Sequence, residues 1–572
     1  MNTEQQEFIL KNYRQLSIRQ IAKQINLPRS EVSQFVRQIG EKPVLSGEFA
    51  SKSKELLWVA GLFLLALFLR FLYLNLLKVT PFFEPLSNKL DDGVYDSIAQ
   101  EISRGNWMAD LPFSAYRIPL YPYFLGVLYY FFGHSIFIVH AIQSLLGSLT
   151  PILIYLISKK VFRNQRAALI SGLLASCYVP FIFFENLLLG ESLSISLNLG
   201  SLFLLLDLFT EGKKIIPRVL LSGFLLGLSA LLRPNTLVVI LFLSAALYFL
   251  VGIGVKRYVK GLALSLLFVA ASFMAILPIA IKNYYLHKDF LPISAVGGVN
   301  FYMGNNPEAD GKFHMVEGVG TSLDEMIKNS EAIAQQEIGR PLKPSEASSY
   351  WVRKTLGFIS ETPSSFIKLI FKKTAFFFNH YEFPDILDIN FVSQFIPFLG
   401  WNPFGYGFVM LFAIYGIGLS YRRRDANVIL LWSFIASYAV SVVLFFITSR
   451  YRLPAVPVLI IFSGLALSKL IQSFKLWKTS EFLRFGLIAV ASSILIFWPV
   501  QTTNFGTNYN SLGIALKNKG QFEEAEKYYR KAIELAPSYP SPYYNMSLLM
   551  RAMGREEEAA AFLQQYESLK RG

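Results

Sequence analysis

A polar stretch between the first two hydrophobic segments holds the residues best suited to chemistry. Its sequence is Leu90-Asp-Asp-Gly-Val-Tyr-Asp-Ser-Ile-Ala99, and Arg117-Ile-Pro-Leu-Tyr-Pro122 follows it. The carboxylates of Asp91 and Asp92, set beside a membrane with Arg117 further along the chain, suit a polar reaction on a substrate whose tail lies in lipid. We therefore expect the reactive groups in this stretch.

The composition indicates a membrane protein. Of 572 residues, 53% are hydrophobic and only 16% are charged, which excludes an ordinary soluble domain. The net charge of +15 would suggest a nucleic-acid partner in a soluble protein. In membrane proteins, however, Lys and Arg gather in cytoplasmic loops, so the charge mainly indicates orientation. The single cysteine, Cys177, excludes an intrachain disulfide.

Eleven apolar runs are predicted to cross the membrane, whose hydrocarbon core is about 30 Å thick. The aromatic run Tyr121–Gly133 is short for a crossing and is predicted to be an interfacial or re-entrant helix. With that assignment every basic cluster falls on one side, which places the N-terminus in the cytoplasm and the C-terminus outside. The predicted spans are Leu56–Leu77, Ser135–Lys159, Ala167–Phe184, Leu187–Phe209, Val219–Leu232, Thr236–Leu250, Leu262–Ile281, Pro403–Ser420, Val428–Ile447, Pro454–Leu470 and Phe482–Pro499.

The same topology gathers charged residues from five stretches of sequence at the outer face. Ionisable groups near a membrane span cost up to about 2.5–3.5 kcal/mol each and usually mark a substrate path or an internal ion pair. For any single residue, an interface anchor or a mutual ion pair is an equal alternative, whereas the convergence of the whole set favours function. The set comprises Asp91, Asp92, Asp96, Arg117, Glu185, Glu191, Arg233, Arg450 and Arg452.

Five motifs in a fixed order resemble bacterial glycosyltransferase family 39. This family belongs to the GT-C superfamily, together with the protein O-mannosyltransferases and the lipid A aminoarabinose transferases. The resemblance covers roughly residues 56–500. The motifs are Asp91-Asp-x-x-Tyr-x-x-x-Ala99, Arg117-x-Pro-x-Tyr-Pro122, Gly227-Leu-Ser-Ala-Leu-Leu-Arg-Pro234, Gly297-Gly-Val-Asn-Phe-Tyr-Met-Gly-Asn-Asn-Pro307 and Ser449-Arg-Tyr-Arg-Leu-Pro454.

The resemblance implies an all-α, polytopic membrane protein of GT-C type in the bacterial inner (cytoplasmic) membrane. It implies transfer of a sugar from a polyprenyl-phosphate carrier to an acceptor at the outer face. The first acid of the family's Asp-Asp/Glu pair is its proposed catalytic base and corresponds to Asp91. The family often has Glu at the second position, so Asp92 in this chain leaves the role of that position open.

The chemistry of such a transfer agrees with this assignment. A base is needed at the acceptor hydroxyl and cations at the departing phosphate; a carboxylate base contributes about 10²–10⁴-fold. Direct attack opposite the phosphate would invert the anomeric carbon, and arginine can bind phosphate through two hydrogen bonds at once. Arg233 is equally well explained as a helix-end anchor. Besides Asp91 as the catalytic residue, the predicted substrate-binding residues are Asp92, Tyr95, Arg117, Glu185, Glu191, Arg233, Arg450 and Arg452.

Neither a cofactor nor an obligatory metal ion is predicted. The histidines show no paired-ligand spacing. Glu185 and Glu191 could bind sugar hydroxyls, bind a metal ion or cap a loop. The polar region 282–401 is predicted to be external and to cover the mouth of the site.

Near the C-terminus, a set of residues recurs at a spacing of 34 positions. The pattern resembles tetratricopeptide repeats, in which small residues let paired helices pack closely. Two such repeats either bind a partner or pack on the protein's own core, and we favour docking of a protein partner or acceptor. The recurring residues are Tyr509, Leu512, Gly520 and Ala525, followed by Tyr543, Met546, Gly554 and Ala559.

The N-terminal segment Leu16–Val32 resembles a helix-turn-helix. Its two helices are predicted over Ser17–Gln24 and Ser30–Ile39, after a first helix over Glu7–Tyr13. Binding of a cytoplasmic protein by this small bundle is an equal alternative to binding of DNA. The residues that would face DNA are Arg29, Ser33, Gln34 and Arg37.

These patterns divide the chain into three predicted parts. Residues 1–50 form a cytoplasmic helix-turn-helix-like module, residues 51–503 the GT-C-like membrane core, and residues 504–572 the extracytoplasmic repeats. The core includes an external loop, 78–134, and the external region 282–401. The alternative function is a membrane-anchored regulator with DNA-binding helices inside and a repeat sensor outside. A regulator needs only one or two spans and has no use for an acidic loop facing arginines, so we favour the enzyme.

Overall fold

The computed structural model describes residues 52–571 apart from 88–89, 113, 211–213, 253–257, 314–315, 317, 320–322, 424, 478 and 501–503, and a few positions between residues 5 and 35. The predicted DNA-facing residues of the N-terminal segment lie outside this described part. Within it the regular structure is helical, with one isolated bridge between Lys312 and Ile447. The expected all-α class is confirmed.

The first eleven helices lead from the first long apolar helix to region 282–401. They are α1 Lys52–Leu77, α2 Asp91–Ser103, α3 Leu120–Phe132, α4 Ile136–Gly147, α5 Thr150–Phe162, α6 Gln165–Ser176, α7 Val179–Glu185, α8 Glu191–Thr210, α9 Ile215–Leu232, α10 Thr236–Gly252 and α11 Tyr258–His287.

The remaining helices form region 282–401, the last apolar helices and the repeats. They are α12 Gly297–Gly304, α13 Leu323–Ile338, α14 Pro344–Glu361, α15 Pro363–Phe378, α16 Ile389–Val392, α17 Pro397–Gly400, α18 Tyr406–Ser420, α19 Ala426–Leu444, α20 Ser449–Arg452, α21 Val456–Lys475, α22 Thr479–Ile496, α23 Gly506–Asn518, α24 Phe522–Leu535, α25 Pro540–Ala552 and α26 Glu556–Arg571.

The described residues contain eight helices long and apolar enough to cross a membrane, or nine if the bent pair α6 and α7 is one span. Three further helices, α3, α10 and α18, are apolar but shorter. Every predicted span coincides with one of these helices or pairs. The number of 11 spans stays a prediction, because the short helices and the bend of 48° between α6 and α7 decide it.

Glycines let the membrane helices approach closely. A Cβ atom added to Gly227 of α9 would lie 2.2 Å from the carbonyl oxygen of Ser272 in α11, and Gly223 has the same relation to Phe268. Small residues at helix contacts are typical of membrane bundles, where close backbone packing replaces the hydrophobic drive of water. The packing of α9 on α11 fixes the end of α9, which carries Arg233.

The acids of the polar stretch begin a helix. Asp91 and Asp92 form the first turn of α2, where the positive end of the helix dipole favours negative charge. The short helix α20 starts at a Thr448 cap, whose hydroxyl oxygen accepts from the Tyr451 amide at 3.1 Å. The charged residues of the Asp91 motif and of the Ser449 motif therefore both lie at helix ends.

Region 282–401 contributes most of a separate small core. Met303 of α12, Met326 of α13 and Trp351 of α14 pack together with Tyr116. The Ala295 amide donates to the Ala115 carbonyl at 2.8 Å, which attaches the region to the loop that carries Arg117.

Helices α23 to α26 form two helical pairs. Gly520 and Gly554 follow the first helix of each pair with φ of +78° and +77°. Equal positive φ angles at positions 34 residues apart, a conformation that glycine adopts without strain, agree with the predicted repeat.

Candidate active site

Arg450 lies at the centre of a cluster of carboxylates. Its Nη1 donates to Asp91 at 2.9 Å and to Asp385 at 3.1 Å, and its Nε donates to Glu191 at 2.5 Å. The arginine is only 4% exposed. Charge-assisted bonds of this kind are the strong ones in proteins, so Arg450 joins acids from three separate parts of the chain.

A second arginine completes this cluster. Arg233, at the C-terminal end of α9, forms an ion pair with Glu191. Its guanidinium lies 4.9 Å from the ring centre of Tyr451, within the range of cation–π attraction. Two arginines therefore face three carboxylates, namely Asp91, Asp385 and Glu191, in one buried group.

A cavity of about 130 Å³ opens beside the group. We call it the Asp91 cavity. The Asp91 side chain keeps 24% exposure, so a substrate group that enters can reach its carboxylate. The polar residues of the lining are Asp91, Tyr95, Tyr116, Arg117, Asn300, Asp385, Arg450 and Tyr451.

The two adjacent acids differ in their surroundings. Burial raises the pKa of Asp92 to about 7, and the neighbouring charge of Asp91 acts in the same direction. The Asp92 carboxylate accepts from the Gly93 amide at 2.9 Å and does not line the Asp91 cavity. Burial also raises the pKa of Asp385, against the opposing effect of Arg450. Asp91, and not Asp92, therefore presents its carboxylate to the cavity.

Arg117 separates the Asp91 cavity from a larger one of about 540 Å³. It forms an ion pair with Asp324 at the start of α13. Its Nη1 is buried and finds no hydrogen-bond partner among the described residues. Since an unpaired buried donor is costly, this atom is suited to bind an anionic oxygen of a substrate.

Arg452 and Glu185, both predicted to bind substrate, lie away from the Asp91 cavity. Arg452 donates to the Asn379 and Tyr381 carbonyls, each at 2.6 Å, and its guanidinium lies 3.6 Å from the ring centre of Tyr406. Glu185 accepts from Arg70 at 2.6 Å within the helix bundle. The structure brings neither Arg452 nor Glu185 to the Asp91 cavity, and the contacts of both are structural.

Sequence reasoning missed two charged residues. Asp385 lies outside the five motifs, in a loop whose path to Arg450 no periodicity predicts. Arg70 did leave a signal, because a lone arginine inside an apolar helix usually has an internal partner. That partner is Glu185.

Among the described residues, no group of three or more His, Cys, Asp or Glu side chains is arranged to hold a metal ion. Asp91, Asp385 and Glu191 converge on a guanidinium instead. The expectation of a reaction without an obligatory metal stays a prediction.

Residues 114–281 match the family described as dolichyl-phosphate-mannose-protein mannosyltransferase. Residues 509–539 match the tetratricopeptide repeat. The resemblance expected from the motifs is confirmed by these matches: a multi-pass membrane protein carries a mannosyltransferase-type domain and a C-terminal repeat. The first match includes Arg117, Glu191 and Arg233, whereas Asp91 and Arg450 lie outside it.

Solved structures with partial similarity include the oligosaccharyltransferase of Archaeoglobus fulgidus. In complex with an inhibitory peptide and a dolichol-phosphate it is 15% identical, with a TM-score of 0.44, over 84% of this chain and 60% of that one. ArnT from Cupriavidus metallidurans, bound to undecaprenyl phosphate, is 14% identical with a TM-score of 0.43, over 91% of this chain and 76% of that one.

One curated relative shares a short segment. An uncharacterized protein of Methanocaldococcus jannaschii is 45% identical over 51 residues. These residues are 9% of this chain, and the chain spans 59% of the length of that relative.

Proposed function

We propose that the protein moves a sugar from a polyprenyl-phosphate-linked donor to an acceptor hydroxyl at the outer face of a bacterial inner membrane. The observation that carries the proposal is the convergence of Asp91, Asp385 and Glu191 on Arg450 and Arg233 beside the Asp91 cavity. The mannosyltransferase-type match of residues 114–281 supports the reaction class.

Asp91 is the base of the proposed reaction. Its carboxylate takes the proton of the acceptor hydroxyl while the hydroxyl oxygen forms a bond to the anomeric carbon. The bond between that carbon and the phosphate oxygen breaks, and its electron pair leaves with the phosphate. Attack from the side opposite the phosphate inverts the carbon, in contrast to the covalent route that needs two carboxylates.

The arginines receive the departing phosphate. Arg450 exchanges one carboxylate contact for a phosphate oxygen, and the unpaired Nη1 of Arg117 supplies a further donor. The planar guanidinium binds such an anion through two parallel hydrogen bonds. The leaving group then needs no proton donor, since its charge is neutralised where it develops.

The proposed orientation places the site and the C-terminus on the outer side. Lys519 of the repeats donates to Glu84, which precedes Asp91 in the chain, at 2.8 Å. The repeats therefore lie on the side of the membrane that holds the site, and the charge pattern supports an external C-terminus with the N-terminus in the cytoplasm. The tetratricopeptide match supports a role of the repeats in binding a protein partner or acceptor.

A donor comparison in proteoliposomes tests the proposal. The purified protein is supplied with one radiolabelled hexose, either on a polyprenyl phosphate or on a nucleotide diphosphate, together with a membrane extract as acceptor source. We expect label to move into acceptor only from the polyprenyl phosphate. Sorting the product into lipid, protein and glycan fractions identifies the acceptor class. Transfer from the nucleotide donor alone would overturn the proposal.

A further inference from the structure

A cluster of aromatic rings joins the first repeat to the membrane core. The ring centres of Phe391 and Tyr509 lie 4.8 Å apart in an edge-to-face contact, and those of Phe82 and Phe395 lie 5.0 Å apart. Phe82 also contacts Phe391 at 5.9 Å. We call this cluster the aromatic bridge; its members are Phe82, Phe391, Phe395, Phe505, Tyr509 and Tyr528.

Buried ring packing holds the bridge together more than its polar contacts do. Phe391 is 1% exposed and Tyr509 is 8% exposed. The Tyr509 hydroxyl donates to the Gln394 side chain at 2.6 Å. The ion pair of Lys519 with Glu84 is solvent-exposed, and exposed pairs add little. Aromatic pairs, in contrast, contribute beyond the area that they bury.

The bridge holds both loops that carry acids to Arg450. Phe82 lies on the loop that ends at Asp91. Phe391 lies on α16, which follows Asp385 and is capped by Asp388 through the Asn390 amide at 2.8 Å. The Ser449 amide donates to the Phe383 carbonyl at 2.9 Å, so the Asp385 loop is also tied to α20.

We infer that the first repeat is a structural part of the active site, in which Tyr509 and Phe391 are positioning residues for Asp91 and Asp385. The inference rests on the proposed function for its kinetic consequence. Neither loop belongs to a membrane span. Helices α4 and α20 each contact one loop, through His140 to the Phe83 carbonyl and Ser449 to the Phe383 carbonyl, whereas the rings of the bridge contact both loops at once. A displacement of about 1 Å at reacting groups can lower a rate by about 10²-fold.

The second repeat supplies a matched control. Tyr543 lies 34 residues after Tyr509, at the same position of the repeat. Its hydroxyl donates to the Pro537 carbonyl at 3.0 Å, within the repeats. Tyr543→Ala therefore makes the same change in the same fold without touching the bridge. Phe391→Ala breaks the bridge from the membrane side, where unfolding of the repeat cannot explain the result.

The experiment measures hydrogen exchange and sugar transfer on the full-length protein in proteoliposomes. For Tyr509→Ala and Phe391→Ala we expect faster exchange of amides in residues 383–396 and a fall of kcat by about 10- to 100-fold, with the KM for the polyprenyl-phosphate donor unchanged. The double variant should be less affected than the product of the two single effects, because both changes remove the shared contact between Phe391 and Tyr509. Tyr543→Ala should match the wild type in both measurements.

Two results separate the inference from the proposed function. If exchange in residues 383–396 rises as expected but the wild type transfers no sugar, the bridge stands and the proposed function falls. If exchange and kcat in Tyr509→Ala and Phe391→Ala equal those of the wild type, the inference is overturned, whatever the wild type transfers. Equal effects of Tyr509→Ala and Tyr543→Ala would also overturn it.

Discussion

Two arginines that are two residues apart have opposite surroundings. Arg450 faces Asp91, Asp385 and Glu191, whereas Arg452 bonds to backbone carbonyls of the segment after α15. Residues at i and i+2 of a helix do not share a face, so the short helix α20 sends the two side chains in different directions. One arginine is available for chemistry and the other holds the loop that carries Asp385.

Conservative replacement should separate these two roles. Arg450→Lys keeps the charge but loses the planar guanidinium, whose Nε and Nη1 reach carboxylates at separate positions. We expect transfer to fall by about 10- to 100-fold, as for the loss of one charged hydrogen bond. Arg452→Lys leaves carbonyls unpaired and should lower the free energy of unfolding by about 1–3 kcal/mol. Transfer rates and thermal unfolding of both variants measure this contrast. Full activity of Arg450→Lys would contradict a role in phosphate binding.

At the residue scale the sequence predicted part of the site. The predicted topology and the five motifs indicated Asp91, Glu191, Arg233 and Arg450. In the structure these four residues are connected by ion pairs. Their chemical roles stay predictions. Asp385 could not be predicted, because only the folded external region brings its loop to Arg450. The pattern of basic clusters predicts on which side of the membrane a residue lies, but not how deep in the helix bundle it lies. It therefore could not separate Glu185 from the cluster around Arg450.

At the scale of elements, close backbone contacts hold helix α12 of region 282–401 against the candidate site. A Cβ atom added to Gly298 would lie 2.0 Å from the Ser348 carbonyl oxygen in α14, whereas nothing lies within 4 Å of one added to Gly297. A Cβ added to Gly304 would lie 2.0 Å from the carbonyl oxygen of Phe445, shortly before Arg450. Helix α12 therefore makes backbone contact at both of its ends.

Adjacent glycines of α12 offer a matched pair of variants. Gly298→Ala forces α12 and α14 apart and should lower the free energy of unfolding by about 1–3 kcal/mol. Gly297→Ala meets open space and should leave stability unchanged or raise it by up to about 1 kcal/mol, because alanine loses less entropy on folding. Denaturation of the two purified variants in the same detergent measures the difference. Equal stability of the two variants would contradict the close packing of α12 on α14.

Membrane helices were the elements easiest to predict, since an apolar run of sufficient length has few alternatives in lipid. Their bounds were harder. The run Ala167–Phe184 looks continuous in sequence, yet the chain bends by 48° between α6 and α7, where Pro180 lies in the first turn of the second helix. A hydropathy pattern reports only that the run is apolar, so it does not contain this bend.

At the scale of the whole molecule, the repeats and the candidate active site share one side of the membrane. The ion pair of Lys519 with Glu84 and the bond of Tyr509 to Gln394 link them directly. A repeat pair on the opposite side could not make these contacts. The side of the membrane on which the C-terminus lies is therefore also the side on which the site lies.

Reporter fusions measure this orientation. An enzyme that is active only outside the cytoplasm should be active when fused after Gly572 and silent when fused after Gly47, because basic clusters are retained in the cytoplasm. A reporter active only in the cytoplasm serves as the converse control at both positions. The reverse pattern would place the site inside and would refute the proposed outer-face reaction.

The most direct measurement of the central claim compares Asp91→Asn with Asp92→Asn in the sugar-transfer assay, with both rates normalised to folded protein. Asparagine is nearly isosteric with aspartate, so the fold should persist while the base is lost. Our account predicts that Asp91→Asn lowers transfer from the polyprenyl-phosphate donor by about 10²-fold or more, and that Asp92→Asn lowers it clearly less. A reversed ranking would move the base to Asp92, and unchanged transfer in both variants would remove this loop from the mechanism.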